Sequence, residues 1–203
     1  MPDRSLAADR GDTGTGAFPS SLADARLTAS RLLDPGDRRW LHTCGVAERA
    51  AELAGLLRLD ADVLVAAAWL HDIGYATSVR VTGFHPLDGA RYLAERSWPM
   101  RIVGLVAQHS GARFLAAVRG LAGALAAYPD SGGLMSDALT YADQTVGPDG
   151  KRVNLRRRHA EMLDRHGPGS WNVRGDHLRW PCLQAIAVRI ELHLAKAKVL
   201  EDA

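Results

Sequence analysis

One stretch constrains the fold of this chain more than any other: Ala66-Ala67-Ala68-Trp69-Leu70-His71-Asp72-Ile73-Gly74. It is an apolar helical run that ends in an adjacent histidine and aspartate and is then stopped by a glycine. A buried helix seldom finishes in two polar side chains without giving them partners, because an unpaired polar group away from water costs roughly 2 kcal/mol or more. The candidate partners are of the same chemical kind. His42, His85, His109 and Asp143 lie with the doublet over about 100 residues, each in a different segment, so the fold has to gather them.

A neutral imidazole offers one lone pair to a metal, and a carboxylate can bind one metal or bridge two. Mixed His and Asp sets suit iron, manganese, cobalt, nickel or zinc better than magnesium or calcium. Two metals roughly 3.5 to 4 Å apart can clamp both the attacking and the leaving oxygens of a phosphoryl transfer.

Helical periodicity runs through most of the remaining sequence. Residues 1–20 lack it and read as a disordered leader. From Ser21 an apolar stripe continues to the break at Asp34-Pro35-Gly36. Residues 38–58 predict a helix that places His42 and Val46 on one inward face. Asp60 is a predicted N-cap for a helix over 61–70, with Gly74 then taking a left-handed turn. Residues 78–84 read as a loop and a candidate lid. His85-Pro86 opens another helix, and further helices are predicted over 100–107, 114–127 and 134–146, the last carrying Asp143. After the turn Gly147-Pro148-Asp149-Gly150, two more cover 155–166 and 182–200. The expected fold is all-α and single-domain over residues 21–203, with a motif-bearing core at about 37–152 and C-terminal helices from 153 to 203.

Composition excludes several classes. A chain of 203 residues with 47% hydrophobic and 24% charged content is not disordered as a whole, and 25 basic against 23 acidic residues make no case for a nucleic-acid partner. Cys44 and Cys182 lie in apolar helical contexts with no paired spacing and read as reduced core residues. No apolar run is long enough for a membrane span, and residues 1–20 lack a signal-peptide stretch. A cytoplasmic location is expected.

In order and local context the six residues resemble the HD superfamily of metal-dependent phosphohydrolases. Arg39-Trp40-Leu41-His42-Thr43-Cys44-Gly45-Val46-Ala47 is similar to its first motif, Leu70-His71-Asp72-Ile73-Gly74 to the doublet, and Tyr141-Ala142-Asp143 to the last. The resemblance implies an HD-type helical bundle in which His42, His71, Asp72 and Asp143 bind one metal. His85 and His109 stand where a dinuclear subgroup holds a second, with Asp72 bridging. His109-Ser110-Gly111 and Ala142-Asp143 are similar to HD-type symmetrical dinucleoside tetraphosphate hydrolases. The match departs at Tyr75, where many of these hydrolases carry a basic residue, and in the long insertion between His109 and Asp143.

The same resemblance implies a phosphohydrolase with two divalent transition metals, iron or manganese ahead of zinc, cobalt or nickel. It would cleave a nucleotide or another small phosphate ester or anhydride with a metal-bridging hydroxide, Asp72 and His71 carrying the catalysis. Arg39, Arg113, Lys151 and Arg152 are candidates for the substrate phosphate, although Lys151 and Arg152 read equally well as a solvated basic face and Arg156 to Arg158 read better so. Asp88, one turn after His85, is either a support for that imidazole or an exposed early-helix acid. His159, His166, His177 and His193 read as solvated or structural. Two other functions stay open: an HD-fold diiron oxygenase acting on a small organic substrate, and a non-catalytic metal- or nucleotide-binding module.

Overall fold

Each helix begins where the chain offers a cap. Ser21 opens α1 (Leu22–Leu32) through a capping box: its Oγ accepts from Asp24 N at 3.1 Å, and its own N–H donates to the Asp24 carboxylate at 3.2 Å. Donors that a helix start leaves open are thereby satisfied. α2 (Arg38–Leu57) ends at Arg58 in the left-handed conformation, φ 52°, and Asp60 caps α3 (Ala61–Leu70) by accepting from Val63 N. The chain continues through α4 (His85–Ala94), α5 (Met100–Gln108), α6 (Ala112–Val118), α7 (Ala122–Leu125), α8 (Gly133–Gln144), α9 (Leu155–His166), α10 (Trp171–Arg174) and α11 (Asp176–Glu201). This computed structural model describes residues 21–129 and 132–201. No strand occurs among them, and Val146 and Arg152 form an isolated antiparallel bridge. The fold is the expected all-α helical bundle; the leader expected over residues 1–20 lies outside the described residues.

α3 is the centre of the bundle. α1, α2, α5 and α8 all pack against it, and Leu64, Ala66, Ala67, Ala68 and Leu70 are fully buried. The alanines keep its neighbours close, while each buried leucine contributes roughly 1.5–3 kcal/mol. A helix whose C-terminal half is packed into the bundle delivers the residues after its last turn to the middle of the fold, and here those are His71 and Asp72.

Two glycines permit the close approaches that complete the centre. A Cβ on Gly74 would lie 2.0 Å from His85 O, and one on Gly45 would lie 2.3 Å from Gly150 O. Gly74 therefore does not supply the left-handed turn expected of it. Ile73–Tyr75 form a short 3-10 turn, and the glycine is needed because the start of α4 presses against it. Gly45 lets the 147–150 turn lie on α2, which brings Gly147 O to His42.

Three other expectations change in detail. The single helix predicted over 114–127 is two, because Gly120 at φ 72° ends α6. The last helix begins at Asp176 and runs through Pro181, at the cost of one intrahelical bond near its start, so Arg179 becomes a helical residue. Residues 78–84 are a loop but are tied down on both sides. Thr82 N and Gly83 N each donate to the Asp88 carboxylate at 2.9 Å, and Arg119 donates to Gly83 O and Thr82 O. Cys44 and Cys182 are free thiols, half-buried rather than in the core. Among the described residues no helix is long and apolar enough to cross a membrane.

Candidate metal centre

Five elements meet at one point. His42 comes from early α2, His71 and Asp72 from the end of α3, His85 from the start of α4, His109 from just after α5, and Asp143 from the last turn of α8. All but the half-buried His85 are buried. His42 Nε2 is 3.0 Å from Asp143 Oδ1 and 3.9 Å from Asp72 Oδ2, and His71 Nε2 is 3.4 Å from Asp72 Oδ2. On the other side, His85 Nε2 lies 3.4 Å from Asp72 Oδ1 and 3.2 Å from His109 Nε2. The two oxygens of Asp72 thus face different groups of imidazoles. His42, His71 and Asp72 make one group that can hold a metal ion, and Asp72, His85 and His109 make a second.

The backbone decides which nitrogen each ring presents. His42 Nδ1 faces Gly147 O at 3.2 Å, His71 Nδ1 faces Ala68 O at 2.7 Å, and His109 Nδ1 faces Val106 O at 2.7 Å. A carbonyl only accepts, so each Nδ1 carries the proton, and a neutral ring must then turn an Nε2 lone pair into the centre. That arrangement fits a divalent metal. His71 Nε2 is buried with no hydrogen-bond partner, Asp72 Oδ2 lying 3.4 Å away without hydrogen-bond alignment, and His42 Nε2 faces Asp143 Oδ1 at 3.0 Å.

Electrostatics keep the two carboxylates and the His85 and His109 rings in coordinating form. Burial would raise the Asp72 carboxyl, but Arg39 and then His71 outweigh it and hold it well below the usual carboxylate range. Burial likewise opposes ionisation of Asp143, and the His42 contact overcomes it. Burial pushes His85 well below the usual histidine value and lowers His109. His71 is raised, since Asp72 outweighs its burial.

The centre opens into a cavity of about 50 Å³, room for one or two water-sized groups. Arg39, alone among the four phosphate candidates, lines it. Its Nη1 donates to Asp72 Oδ2 at 2.6 Å and its guanidinium lies 3.9 Å over the Tyr75 ring, which stacks on His85 at 4.0 Å. At Tyr75, where a basic residue was the pattern, the positive charge comes from α2 instead. Burial, then Asp72, pushes the Tyr75 hydroxyl up to about 12.

The other three phosphate candidates lie away from this cavity. Arg113 lies on another face beside Cys182 and the Phe114 ring. Lys151 is exposed next to Asp149, and Arg152 is ion-paired with Glu52. Both line a neighbouring groove, because the bridge at Val146 and Arg152 carries the chain away from the cavity. Asp88 is neither a support for His85 nor exposed. It is 1% exposed, and its carboxylate is used up by Thr82 N, Thr82 Oγ1 and Gly83 N. The lid expected over 78–84 contributes no residue to the cavity.

Four basic lining residues escaped sequence reasoning: Arg158, Arg165, His166 and Arg179. Arg158, read as part of a solvated basic face, is 6% exposed. Its spacing of four from Met162, the other buried residue of α9, was the signal that separates it from the exposed Arg156 and Arg157. Arg179 is 5% exposed and donates from Nε to Ser110 O at 2.8 Å. Ser110 in turn donates to Asp143 through a short contact, and Gln144 Nε2 donates to the same carboxylate at 2.9 Å. His159 is structural as expected, stacked on Trp180 and paired with Asp176.

A helical bundle that gathers four imidazoles and two carboxylates from separate helix ends is a histidine–aspartate protein whose buried centre is compatible with a divalent metal. Residues 39–145 match the HD domain, more than half of the sequence, and the chain belongs to that family. Most of the family are metal-dependent hydrolases. No curated protein and no solved structure matches the chain.

Proposed function

We propose that the chain is a metal-dependent phosphohydrolase acting on a nucleotide or another small phosphate ester or anhydride. The observation that carries this reading is the split of Asp72, Oδ2 towards His42 and His71 and Oδ1 towards His85. In this reading His42, His71, Asp72 and Asp143 hold one divalent transition metal, and Asp72, His85 and His109 hold a second, with iron or manganese leading. When bound, such a pair acidifies water and draws charge from the phosphoryl oxygens.

The side chains supply the rest. Asp72 spans both positions, and His71 stays fixed by its bond to Ala68 O. Arg39 is placed to take charge that develops on the phosphoryl oxygens. Hydrolysis adds the oxygen of water to phosphorus and breaks the bond to the leaving oxygen. That oxygen departs with the bonding pair and takes up a proton, so charge builds where these cations face the cavity.

Metal analysis after anaerobic reconstitution, coupled to a phosphoester and nucleotide panel, tests the reading. About two transition metals per chain with phosphate release are expected. A chain that holds no metal under any reconstitution overturns it, and oxygen consumption on an organic substrate without phosphate release replaces it with the oxygenase alternative.

A further inference from the structure

Part of the cavity wall, Arg158, Met162, Arg165 and His166 of α9 and Arg179 of α11, comes from outside the matched HD segment. That wall is cationic beyond what its own carboxylates balance. Glu161 takes both Arg158 and Arg165, the first through a short contact and the second at 3.5 Å. Asp72 takes Arg39. Among the described residues Arg179 has no carboxylate within ion-pair reach: its contacts there are Ser110 O at 2.8 Å from Nε and Met162 Sδ at 4.0 Å from Nη1. Its aliphatic stem packs on the Gly111 backbone, where a Cβ would come within 3.1 Å of Cγ, so the guanidinium is held in place. A donor is stranded beside it, since Arg158 is 6% exposed and its Nε is buried with no hydrogen-bond partner.

A buried guanidinium donor without an acceptor, such as Arg158 Nε, is costly unless a ligand supplies one. Each guanidinium carries five N–H donors in a planar fork suited to phosphate or carboxylate. A single phosphoryl group seated on the donor cluster keeps too few oxygens to satisfy Arg39 and this wall together. The Tyr75 ring on the cavity lining is already covered by Arg39 and His85.

We propose that Arg158, Arg165 and Arg179 form a second oxyanion subsite, and that the substrate is a phosphorylated compound bearing another anionic group, phosphate or carboxylate, close to the phosphoryl that reacts. This rests on the phosphohydrolase reading for the identity of the first group but not for the existence of the subsite.

The test uses the full, metal-reconstituted chain. Calorimetry compares inorganic phosphate with pyrophosphate, and kinetics compare a phosphate ester that has a neutral leaving group with one that carries a carboxylate on it. Arg165→Gln touches a half-exposed side chain and should fold normally; Arg179→Gln and Arg179→Lys address the buried one. Pyrophosphate should bind about tenfold or more tighter than phosphate to the parent chain, and the Gln variants should lose most of that margin. KM for anionic-tail substrates should rise about tenfold with kcat nearly unchanged and metal content intact. Arg179→Lys should recover part of the loss, which a purely structural role for Arg179 would not require. A preference for the carboxylate ester over pyrophosphate, lost in the same variants, identifies carboxylate as the second group. Pyrophosphate binding no tighter than phosphate in the parent, or equal weakening of both in Arg165→Gln, overturns the subsite. Tight pyrophosphate binding lost in the variants, with no phosphate released from any ester, keeps the subsite and overturns the phosphohydrolase reading. Equal turnover of neutral-tail and anionic-tail esters does the reverse.

Discussion

His42 Nε2 lies 3.0 Å from Asp143 Oδ1 while His42 Nδ1 is committed to Gly147 O. That pairing is compatible with a metal ion between the two atoms, and the same centre repeats the arrangement through Asp72. Metal content should therefore track individual donors. Asp72→Ala is expected to lose both metals and His85→Ala chiefly one, by elemental analysis of refolded, reconstituted protein. Equal loss in the two variants argues against Asp72 as the shared ligand.

Metal should also stabilise the fold, because the donors converge only when the helices are packed. At a free metal concentration about 100 times Kd the gain is roughly 2.7 kcal/mol per site, or about 5–10 °C in Tm for a chain of this size. Thermal unfolding with and without a chelator checks it, and identical midpoints would count against a resident metal.

Gly74 and Gly55 should respond oppositely to alanine. A Cβ at Gly74 meets the backbone of His85 at 2.0 Å, so Gly74→Ala is expected to destabilise by about 3 kcal/mol or more. Gly55 in α2 has nothing within 4 Å of its added Cβ, and Gly55→Ala should gain up to about 1 kcal/mol from helix propensity. Urea unfolding reads both.

Asp88 should behave as a loop anchor. Asp88→Ala leaves Thr82 N and Gly83 N without their acceptor, at about 1–3 kcal/mol for each donor left buried. Limited proteolysis within residues 78–84 should accelerate, with metal stoichiometry retained in the folded fraction. Selective loss of the metal near His85 would restore Asp88 as a support for that ring.

The arginines should separate by position. Arg39→Gln removes a charge-assisted donor from the cavity and is expected to cost roughly 1.5–3 kcal/mol, about 10- to 100-fold in kcat/KM. Lys151→Ala and Arg152→Ala, on the neighbouring groove, should change turnover by less than about twofold, as exposed ion pairs usually do. A large loss in Lys151→Ala would place substrate on that groove.

Much of the fold and the donor set was readable from the chain alone. The helix periods, the Ser21 and Asp60 caps, and the order of His42, His71-Asp72, His85, His109 and Asp143 are local properties, set within a turn or two of backbone. Those donors sit at or near helix ends, so knowing where a helix starts or stops nearly places them.

Tertiary structure decided what long side chains do. Arg113, Lys151, Arg152, Arg158 and Arg179 are alike as residues. Packing of α9 and α11 across the centre buries Arg158 and Arg179, while the bridge at Val146 and Arg152 turns Lys151 and Arg152 outward. Asp88 went to the 78–84 loop because two amides there needed an acceptor, and Gly74 was required by the approach of α4, not by its own φ. Local backbone rules carry no information about which distant element will cover a given face, and for side chains with four or five rotatable bonds that cover determines the role.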